Sequence, residues 1–377
     1  MKDMNTLFFE LLRLSLGTAN NLTRQPSADE WDILYKMSVK QSLVGICFVG
    51  VRQYMEVSKL NGKDFVIPAK IYYQWLGTAA HIQEMNELVN QRCVEVEQKL
   101  QEDGVKSCVL KGQGIASLYG NLSDLRQPGD IDVWALGDPK SVIAWARKTG
   151  TMTYYDYHHA DISIFKDAEV ELHYRPTLSR NLLRNSRLQR WFNEEGTQHI
   201  IFKEELGFSV PDYLFNVVLI LNHNFWHLMY EGVGLRQIMD LFFVLRSIND
   251  SEHNFKQIKE DAMNLIKKFG LQRFAAASMW IMEEVLGLEK KYLLCKPDIT
   301  AGRFLLEEIM LSGNFGKYDN RLNKSRYKSR FNLMFSWMKH NLRLMKFYPA
   351  DVLWTPLGIL RISLWRRWNY RKDSILK

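Results

Sequence analysis

The sequence has few cysteines, no long apolar run and no extended polar tract, and each scarcity excludes a class of protein. Four cysteines, with no Cys-x-x-Cys pair, argue against a disulfide framework and a cysteine-based zinc site; they are Cys47, Cys93, Cys108 and Cys295. No apolar run approaches the roughly 18 residues of a membrane span. The N-terminal residues lack the apolar core and cleavage site of a signal peptide. These absences predict a cytoplasmic protein with reduced thiols.

What the chain does contain is enough apolar material for a large core, and an uneven distribution of charge. Its 377 residues are 46% hydrophobic and 12% aromatic, which favours two or three folded domains over extensive disorder. Residues 317–377 hold 15 Lys and Arg against 3 Asp and Glu, whereas the preceding residues hold 35 against 39. The net charge of +8 therefore comes from the C-terminal segment.

Aromatic side chains alternate with the cations of this segment, and two interpretations stay open. A basic, aromatic surface suits an anionic partner such as a nucleic acid or an anionic membrane. Amphipathic helices that pack their rings on the body and leave the cations in water give the same pattern. We favour the second interpretation, in which residues 313–377 form a basic, aromatic-rich helical tail.

Hydrophobic spacing predicts helices on both sides of a small α/β region. Apolar residues recur at intervals of three, four or seven from Pro68 to Leu100, which predicts one long helix with Pro68 at its first position. Gly104 is expected just after its end. Pro211 is expected to open another helix, and two more are expected between Phe255 and Leu288.

The α/β region is predicted from short apolar runs separated by turn residues. We expect strands over 107–110 and 131–135, helices over 113–119 and 139–149, a loop over 120–129, and a hairpin that pairs 161–165 with 170–174. The expected units are a helical region over 1–104, an α/β core over 105–204, a helical region over 205–312 and the tail over 313–377.

Two aspartates at the start of a predicted strand are the main candidates for chemistry. Asp130 and Asp132 are two residues apart, so on a strand their carboxylates share one face while Ile131 and Val133 enter a core. Carboxylates that close repel each other unless a divalent cation lies between them or one is protonated, and Mg²⁺ prefers such ligands. If the hairpin places Glu171 beside them, three carboxylates converge as two-metal catalysis requires. A solvated acidic strand end is the alternative.

Residues around these aspartates are candidates for binding a nucleotide. Lys111, Gly112 and Gln113 open a Lys-Gly-Gln-Gly turn, where glycine lets the backbone approach phosphate oxygens and lysine adds positive charge. Arg126 is expected to reach a triphosphate. His173 shares the face of Glu171 and either hydrogen-bonds the carboxylates or contacts the nucleotide. The alternatives are an ordinary turn, a surface arginine and a structural histidine.

Two pairs at helical spacing admit more than one interpretation. His223 and His227 resemble a zinc half-site, but no HExxH glutamate lies between them, so we predict core or interfacial histidines. Arg236 and Asp240 lie on one polar stripe of an apolar helix. They either form a buried ion pair, which we favour, or line a nucleotide cleft.

Four segments together resemble a known family. They are LKGQGIASLYG, Arg126 followed by GDIDVW, VELHYRP, and finally GVGLRQIMDLFFVL. In their order and spacing, over about residues 5–310, the chain resembles an uncharacterised bacterial family of nucleotidyltransferases in the polymerase-beta-like superfamily. The resemblance implies an α+β fold class: a small mixed β-sheet core with flanking helices, embedded between helical N- and C-terminal regions. It also implies metal-dependent transfer of NMP from an NTP.

The resemblance assigns roles to residues of this chain. Asp130 and Asp132 look like the paired metal ligands, and Glu171 looks like the third catalytic carboxylate and metal ligand. Lys111 and Gly112 look like the phosphate turn, although the wider superfamily has Gly-Ser or Gly-Gly there. Related sequences often have Asp in place of Glu171, whose reach is one methylene longer. Both departures leave the chemistry possible.

The leading hypothesis is a nucleotidyltransferase that uses Mg²⁺ or Mn²⁺ and an NTP, for example ATP, as donor. The sequence does not identify the acceptor, which is a small molecule, a protein or an RNA. One alternative is a DxD-type glycosyltransferase using a nucleotide sugar, although about 100 helical residues before the aspartates argue against it. The other is a non-catalytic or toxin–antitoxin-type binding protein on the same fold.

Overall fold

The structure, a computed structural model, describes residues 2–60, 67–248, 254–319, 321 and 330–370. The described residues form seven strands: β1 (Ser107–Val109), β2 (Ile131–Ala135), β3 (Thr151–Tyr155), β4 (His159–Ser163), β5 (Val170–His173), β6 (Ile200–Lys203) and β7 (Phe208–Pro211). The described helices are α1 (Lys2–Ser15), α2 (Ala28–Lys40), α3 (Val44–Leu60), α4 (Ala69–Glu102), α5 (Gly112–Ala116), α6 (Pro139–Thr149), α7 (Leu182–Glu194), α8 (Tyr213–Tyr230), α9 (Leu235–Ser247), α10 (Asn254–Lys268), α11 (Gln272–Glu284), α12 (Ile299–Ser312), α13 (Arg330–Met345) and α14 (Pro349–Tyr370).

A five-stranded mixed sheet lies between the helical regions. Its strand order is β1-β2-β5-β4-β3, and β2 and β5 are parallel whereas the other neighbours are antiparallel. Strands β6 and β7 form a separate antiparallel pair, and β7 packs beside β1. The mixed sheet with helical regions before and after it confirms the expected α+β fold class. The domain boundaries stay a prediction.

Helix α4 joins two apolar clusters. Its first half places Trp75 and Ile82 in a large cluster with helices of the N- and C-terminal regions. Its second half places Val96 and Leu100 in a smaller cluster under the sheet, beside Val133 of β2. Burying each large apolar side chain stabilises the fold by about 1.5–3 kcal/mol. The long helix therefore fixes the sheet, and the residues at its edge, against the helical body.

The structure confirms the long helix but corrects the predicted positions of two prolines at helix starts. Pro68 lies one position before the first helical residue, and Gly104, with a φ of +75°, ends the helix through a hydrogen bond from the Val105 N–H to the Leu100 carbonyl. The expectation that Pro211 opens a helix is wrong. Pro211 ends β7, and Asp212 caps α8 by accepting a hydrogen bond from the Phe215 N–H at 2.9 Å.

The α/β region follows the prediction where the hydrophobic pattern is strong. Strand β2 and helix α6 have the expected bounds, whereas β4 starts and ends two residues early. The expected helix over 113–119 is the short α5, and 3₁₀ turns over Ser117–Leu125 replace most of the expected loop. Strand β3 and the β6–β7 pair were not predicted. Strand β3 has a register shift between Met152 and Tyr154, which interrupts the alternation that marks a strand.

The described part of the basic tail forms α13 and α14. Trp365 packs edge-on against the rings of Tyr155 and Tyr157, at centroid distances of 5.9 and 6.0 Å, as the packing interpretation expects. Trp368 is 69% exposed instead. Residues 320, 322–329 and 371–377 of the expected tail lie outside the described residues. None of the described helices has both the length and the apolar character needed to cross a bilayer.

Candidate active site

Two neighbouring parallel strands bring two predicted site residues together. Asp132 of β2 lies directly opposite Glu171 of β5. Successive side chains on a strand point to opposite faces, and the next positions, Val133 and Leu172, are buried in the apolar cluster. Asp132 and Glu171 therefore share the other face. Asp130 lies one residue before β2 and lines the same cavity.

Asp132 is the centre of a buried network of charged groups. Its Oδ1 atom accepts from the Lys111 ammonium at 2.8 Å and lies 2.8 Å from His173 Nε2. The same His173 nitrogen lies 3.2 Å from Glu171 Oε2. Since one histidine nitrogen contacts both carboxylates, His173 takes the first of its two expected roles and holds the carboxylates in place.

The network shifts the pKa values of its members. Burial by itself disfavours the charged form of Asp132, but the Lys111 charge and the His173 hydrogen bond outweigh it and hold the pKa of Asp132 well below its usual range. Burial also disfavours the charged form of Glu171, but the hydrogen bond from His173 outweighs burial and lowers the pKa of Glu171 to about 2. Burial opposes the charge of His173, yet its hydrogen bonds to both carboxylates raise its pKa to about 9. The two carboxylates therefore favour the protonated form of His173, and ligation of a metal ion by this imidazole would require loss of that proton.

The pKa of Asp130 is shifted in the opposite direction from those of Asp132 and Glu171. The negative charge of Asp132 is the largest cause, followed by burial and then by Glu171, and together they raise the pKa of Asp130 to about 7. At neutral pH, Asp130 is therefore the carboxylate of this group that exchanges a proton most readily.

Lys111 reaches Asp132 from a backbone conformation that side chains rarely adopt. Its φ of +50° and ψ of −139° lie in a region that favours glycine. Such a conformation costs about 1–3 kcal/mol and persists where surrounding contacts enforce it. Here the ion pair with Asp132 lies on one side and Gly112, also at positive φ, follows directly. In this backbone conformation the Lys111 side chain points its ammonium group towards Asp132.

The carboxylates and nearby imidazoles can supply ligands to a divalent metal ion. Asp132, Glu171 and His173 each offer a ligand atom within 4.8 Å of the others, and so do His159, Asp161 and Glu171. The second set follows from the pairing of β4 with β5, which places Asp161 opposite Glu171. Oxygen-rich sets of this kind suit Mg²⁺ and Mn²⁺. The assignment of Asp130 as a ligand stays a prediction.

A cavity of about 750 Å³ lies in front of these carboxylates. His223 and His227 of α8 also line it, with their Nε2 atoms 2.9 Å apart, and His227 Nδ1 lies 3.0 Å from Glu231 Oε2. Burial lowers the pKa of both histidines, so the pair is neutral at pH 7. They were predicted as core or interfacial residues. His227 is buried, as that prediction expects, and both histidines also form a polar wall of the cavity.

Arg126 has a carboxylate partner inside the protein. Its Nε and Nη2 atoms donate to Asp240 at 2.7 and 2.8 Å, and the Tyr119 hydroxyl donates to the same carboxylate at 2.7 Å. Arg236 instead donates to the Gln127 carbonyl oxygen at 2.8 Å and lines the cavity. The favoured ion pair of Asp240 with Arg236 is therefore replaced by one with Arg126. Contact between Arg126 and a triphosphate stays a prediction.

The remaining site residues divide between the cavity and the protein interior. Gly112 lines the cavity, as expected of a phosphate turn. Gln113 is 4% exposed and donates to Asn90 Oδ1 of α4 at 2.8 Å, so its predicted contact with the nucleotide has no support from this geometry. The sequence reasoning missed several further residues that line the cavity, which are Tyr154, Asp156, His158, His159, Arg180 and Arg366. Of these residues, only His158 and His159 could have been suggested by the sequence, because they lie at the start of the hairpin strand that pairs with the strand of Glu171.

Comparison with known proteins identifies the family of this chain. A model of an uncharacterised nucleotidyltransferase family matches residues 27–287, which include the whole sheet and the carboxylate network. No curated protein matches the chain. The matched segment covers well over half of the chain and agrees with the resemblance seen in its motifs. The chain belongs to this family of nucleotidyltransferases.

Proposed function

We propose that the protein is a metal-dependent nucleotidyltransferase that transfers NMP from an NTP to an acceptor hydroxyl. The observation that carries the proposal is the register of β2 and β5, which sets Asp132 opposite Glu171 at the edge of a cavity. Family membership supports nucleotidyl transfer in general. The carboxylate and imidazole cluster supports the use of a metal.

The residues of the chain would divide the reaction between them. Asp130, Asp132 and Glu171 would hold one or two Mg²⁺ or Mn²⁺ ions, which neutralise the triphosphate and polarise the acceptor oxygen. The acceptor oxygen bonds to the α-phosphorus, the bond from that phosphorus to the β-phosphate oxygen breaks, and pyrophosphate leaves. Glu171, partly exposed at the cavity, would help to activate the acceptor hydroxyl, and Asp130, whose pKa of about 7 lies nearest neutrality, would accept the proton. Lys111 offsets negative charge at the phosphates, with Gly112 letting the backbone approach them.

Isothermal titration tests the donor half of this proposal. Wild-type protein should bind each NTP more tightly with Mg²⁺ than without it, and Asp132→Asn should abolish the metal-dependent part. Asp29→Asn, an exposed carboxylate in the first turn of α2, is the matched control and should leave binding unchanged. Metal-independent binding in the wild type, or equal binding by wild type and Asp132→Asn, would refute metal-dependent transfer.

Incubation with radiolabelled NTPs and cell extract tests the acceptor half. The label should appear in one fraction, a small molecule, a protein or an RNA, and should be absent with Asp132→Asn. Preferential binding of UDP-sugars over NTPs would favour the glycosyltransferase alternative. A stoichiometric co-purifying partner without NTP turnover would favour the binding-protein alternative. The family membership and the helices α1–α4 before β1 favour nucleotidyl transfer over both.

A further inference from the structure

Three arginines line the cavity with guanidinium groups that the protein satisfies only in part: Arg180, Arg236 and Arg366. Arg236 donates to the Gln127 carbonyl oxygen and lies near the Asp240 carboxylate, whereas Arg180 and Arg366 lie near each other. Arg180 follows β5 and stacks on the Tyr230 ring, with its guanidinium carbon 3.7 Å from the ring centroid. Arg366 lies on α14 and donates to the Tyr154 hydroxyl. The Nε atom of each arginine is buried and has no hydrogen-bond acceptor among the described residues. A buried donor without an acceptor costs free energy, so these groups are suited to a ligand that accepts hydrogen bonds.

The charges of Arg180 and Arg366 are also poorly balanced. In the described part of the chain, Arg180 forms no ion pair with a carboxylate, and burial lowers its pKa. Arg366 Nη2 lies 3.6 Å from Asp156 Oδ2, but Asp156 Oδ1 is already 2.8 Å from His158 Nδ1. Asp156 is therefore shared between Arg366 and His158, and Arg180 has no carboxylate within ion-pair distance among the described residues. Arg366 is partly exposed and Arg180 is half-buried without an ion-pair partner, so a negative group bound in the cavity would complete the contacts of both.

A glycine on α14 brings the two arginines to the same wall. A Cβ atom added at Gly358 would lie 2.5 Å from both the Cβ and the carbonyl oxygen of Arg180, so only glycine lets the helix rest on that segment. The edge-on packing of Trp365 against Tyr155 and Tyr157 fixes the next turns of the helix. Helix α14 lies outside residues 27–287, whereas the carboxylate network lies inside them. This wall therefore combines a residue of the family segment with a helix beyond it.

We infer that Arg180 and Arg366 form an anion subsite that binds a phosphate or carboxylate group of the acceptor. The inference rests on the proposed function, because it names the acceptor of that reaction as an anionic molecule. A guanidinium group presents a planar set of donors that matches the paired oxygens of phosphate and carboxylate. Within the described residues, neither arginine forms an ion pair with Asp130, Asp132 or Glu171, so the subsite is separate from the proposed metal ligands. Through Arg366, the basic tail thus contributes a positive charge to the cavity.

Binding of inorganic phosphate, measured by isothermal titration with the full chain, tests the subsite. Arg180→Met and Arg366→Met should each weaken phosphate binding at least tenfold. Arg367→Met removes the same charge from the adjacent, exposed position of α14 and should change it less than twofold. In phosphate-free buffer the Tm of Arg180→Met should not fall, because an unpaired, half-buried charge is removed. Equal weakening by Arg367→Met, or none by Arg180→Met and Arg366→Met, would overturn the subsite.

A second titration separates the acceptor from the NTP as the source of the anion. With a non-hydrolysable NTP analogue and Mg²⁺ at saturation, phosphate should still bind to the wild type with its affinity unchanged. Competition between the analogue and phosphate would assign the arginines to the triphosphate and overturn the acceptor assignment. The proposed function fails by a different readout, which is metal-dependent NTP binding that Asp132→Asn does not remove. Phosphate binding by Asp132→Asn should match the wild type.

Discussion

Replacing Asp240 by asparagine should destabilise the protein strongly, because it leaves a buried guanidinium without a negative partner. The carboxylate accepts two hydrogen bonds from Arg126 and one from Tyr119, all between 2.7 and 2.8 Å. The Arg126 side chain is 3% exposed and that of Asp240 is 9% exposed, so water cannot replace the lost partner. Breaking such a buried pair costs about 3–5 kcal/mol. Urea unfolding followed by tryptophan fluorescence should show a loss of that size.

The chain contains a matched control for this prediction. Arg92 also makes two hydrogen bonds to an aspartate, at 3.0 and 2.7 Å, but the Asp167 side chain is 40% exposed. Asp167→Asn should therefore cause only a small fraction of the Asp240→Asn loss, since water already solvates that pair. The double variant Arg126→Met/Asp240→Leu should recover most of the stability, because neither charge is left alone.

Two outcomes would refute this prediction. Equal losses for Asp240→Asn and Asp167→Asn would show that burial does not set the strength of the pair. A double variant as unstable as Asp240→Asn would show that the unpaired charge is not the cause. The same double variant also tests the predicted triphosphate contact of Arg126: unchanged NTP affinity would leave Arg126 with a purely structural role.

Two further predictions concern packing and pH. Gly45→Ala should destabilise the protein by about 1–3 kcal/mol in thermal unfolding, because its Cβ would lie 2.4 Å from the Leu125 carbonyl oxygen. Gly77→Ala, on the exposed face of α4 with open space around it, should stabilise by about 0.5–1 kcal/mol, and the reverse order would contradict this account. The hydrogen bond to Asp212 at 2.7 Å raises the pKa of His199 above 6.5. Its contribution to stability is therefore full below about pH 6.5 and lost as the pH rises through the higher folded value. The difference in unfolding free energy between wild type and His199→Gln should shrink from pH 6 to pH 9, and a constant difference would refute the assignment.

The parts of the fold that the sequence predicted well depend on local signals. The bounds of β2 and α6 were correct, because a short apolar run fixes the strand and Asp138 caps the helix by accepting from the Lys140 N–H. Helix α4 was recognised from one apolar face and ended by Gly104. Such signals lie within a few residues of the element that they define. Strand β3 and the β6–β7 pair depend on pairing with distant segments, and they were missed.

The candidate site shows the same division. The spacing of Asp130 and Asp132, and the alternation that places Glu171 and His173 on one face, were readable from the sequence. That Asp132 lies opposite Glu171 was conditional on how the hairpin joins β2, and the parallel register confirmed it. The preference of His173 for its protonated form is a result of that register, because it needs both carboxylates within reach.

By itself, then, the sequence determined which carboxylates share one strand face and are candidates for a metal site, because period-two alternation on a strand is a local property. Only the tertiary structure decided how the cations are distributed. It paired Arg126 with Asp240, which is 114 residues away, and placed Arg366 beside Arg180 through the close approach at Gly358. The physical reason is that an arginine is long and takes whichever buried carboxylate or anion the packing brings within reach. Which charge meets which partner is therefore set by contacts between segments that the sequence keeps far apart.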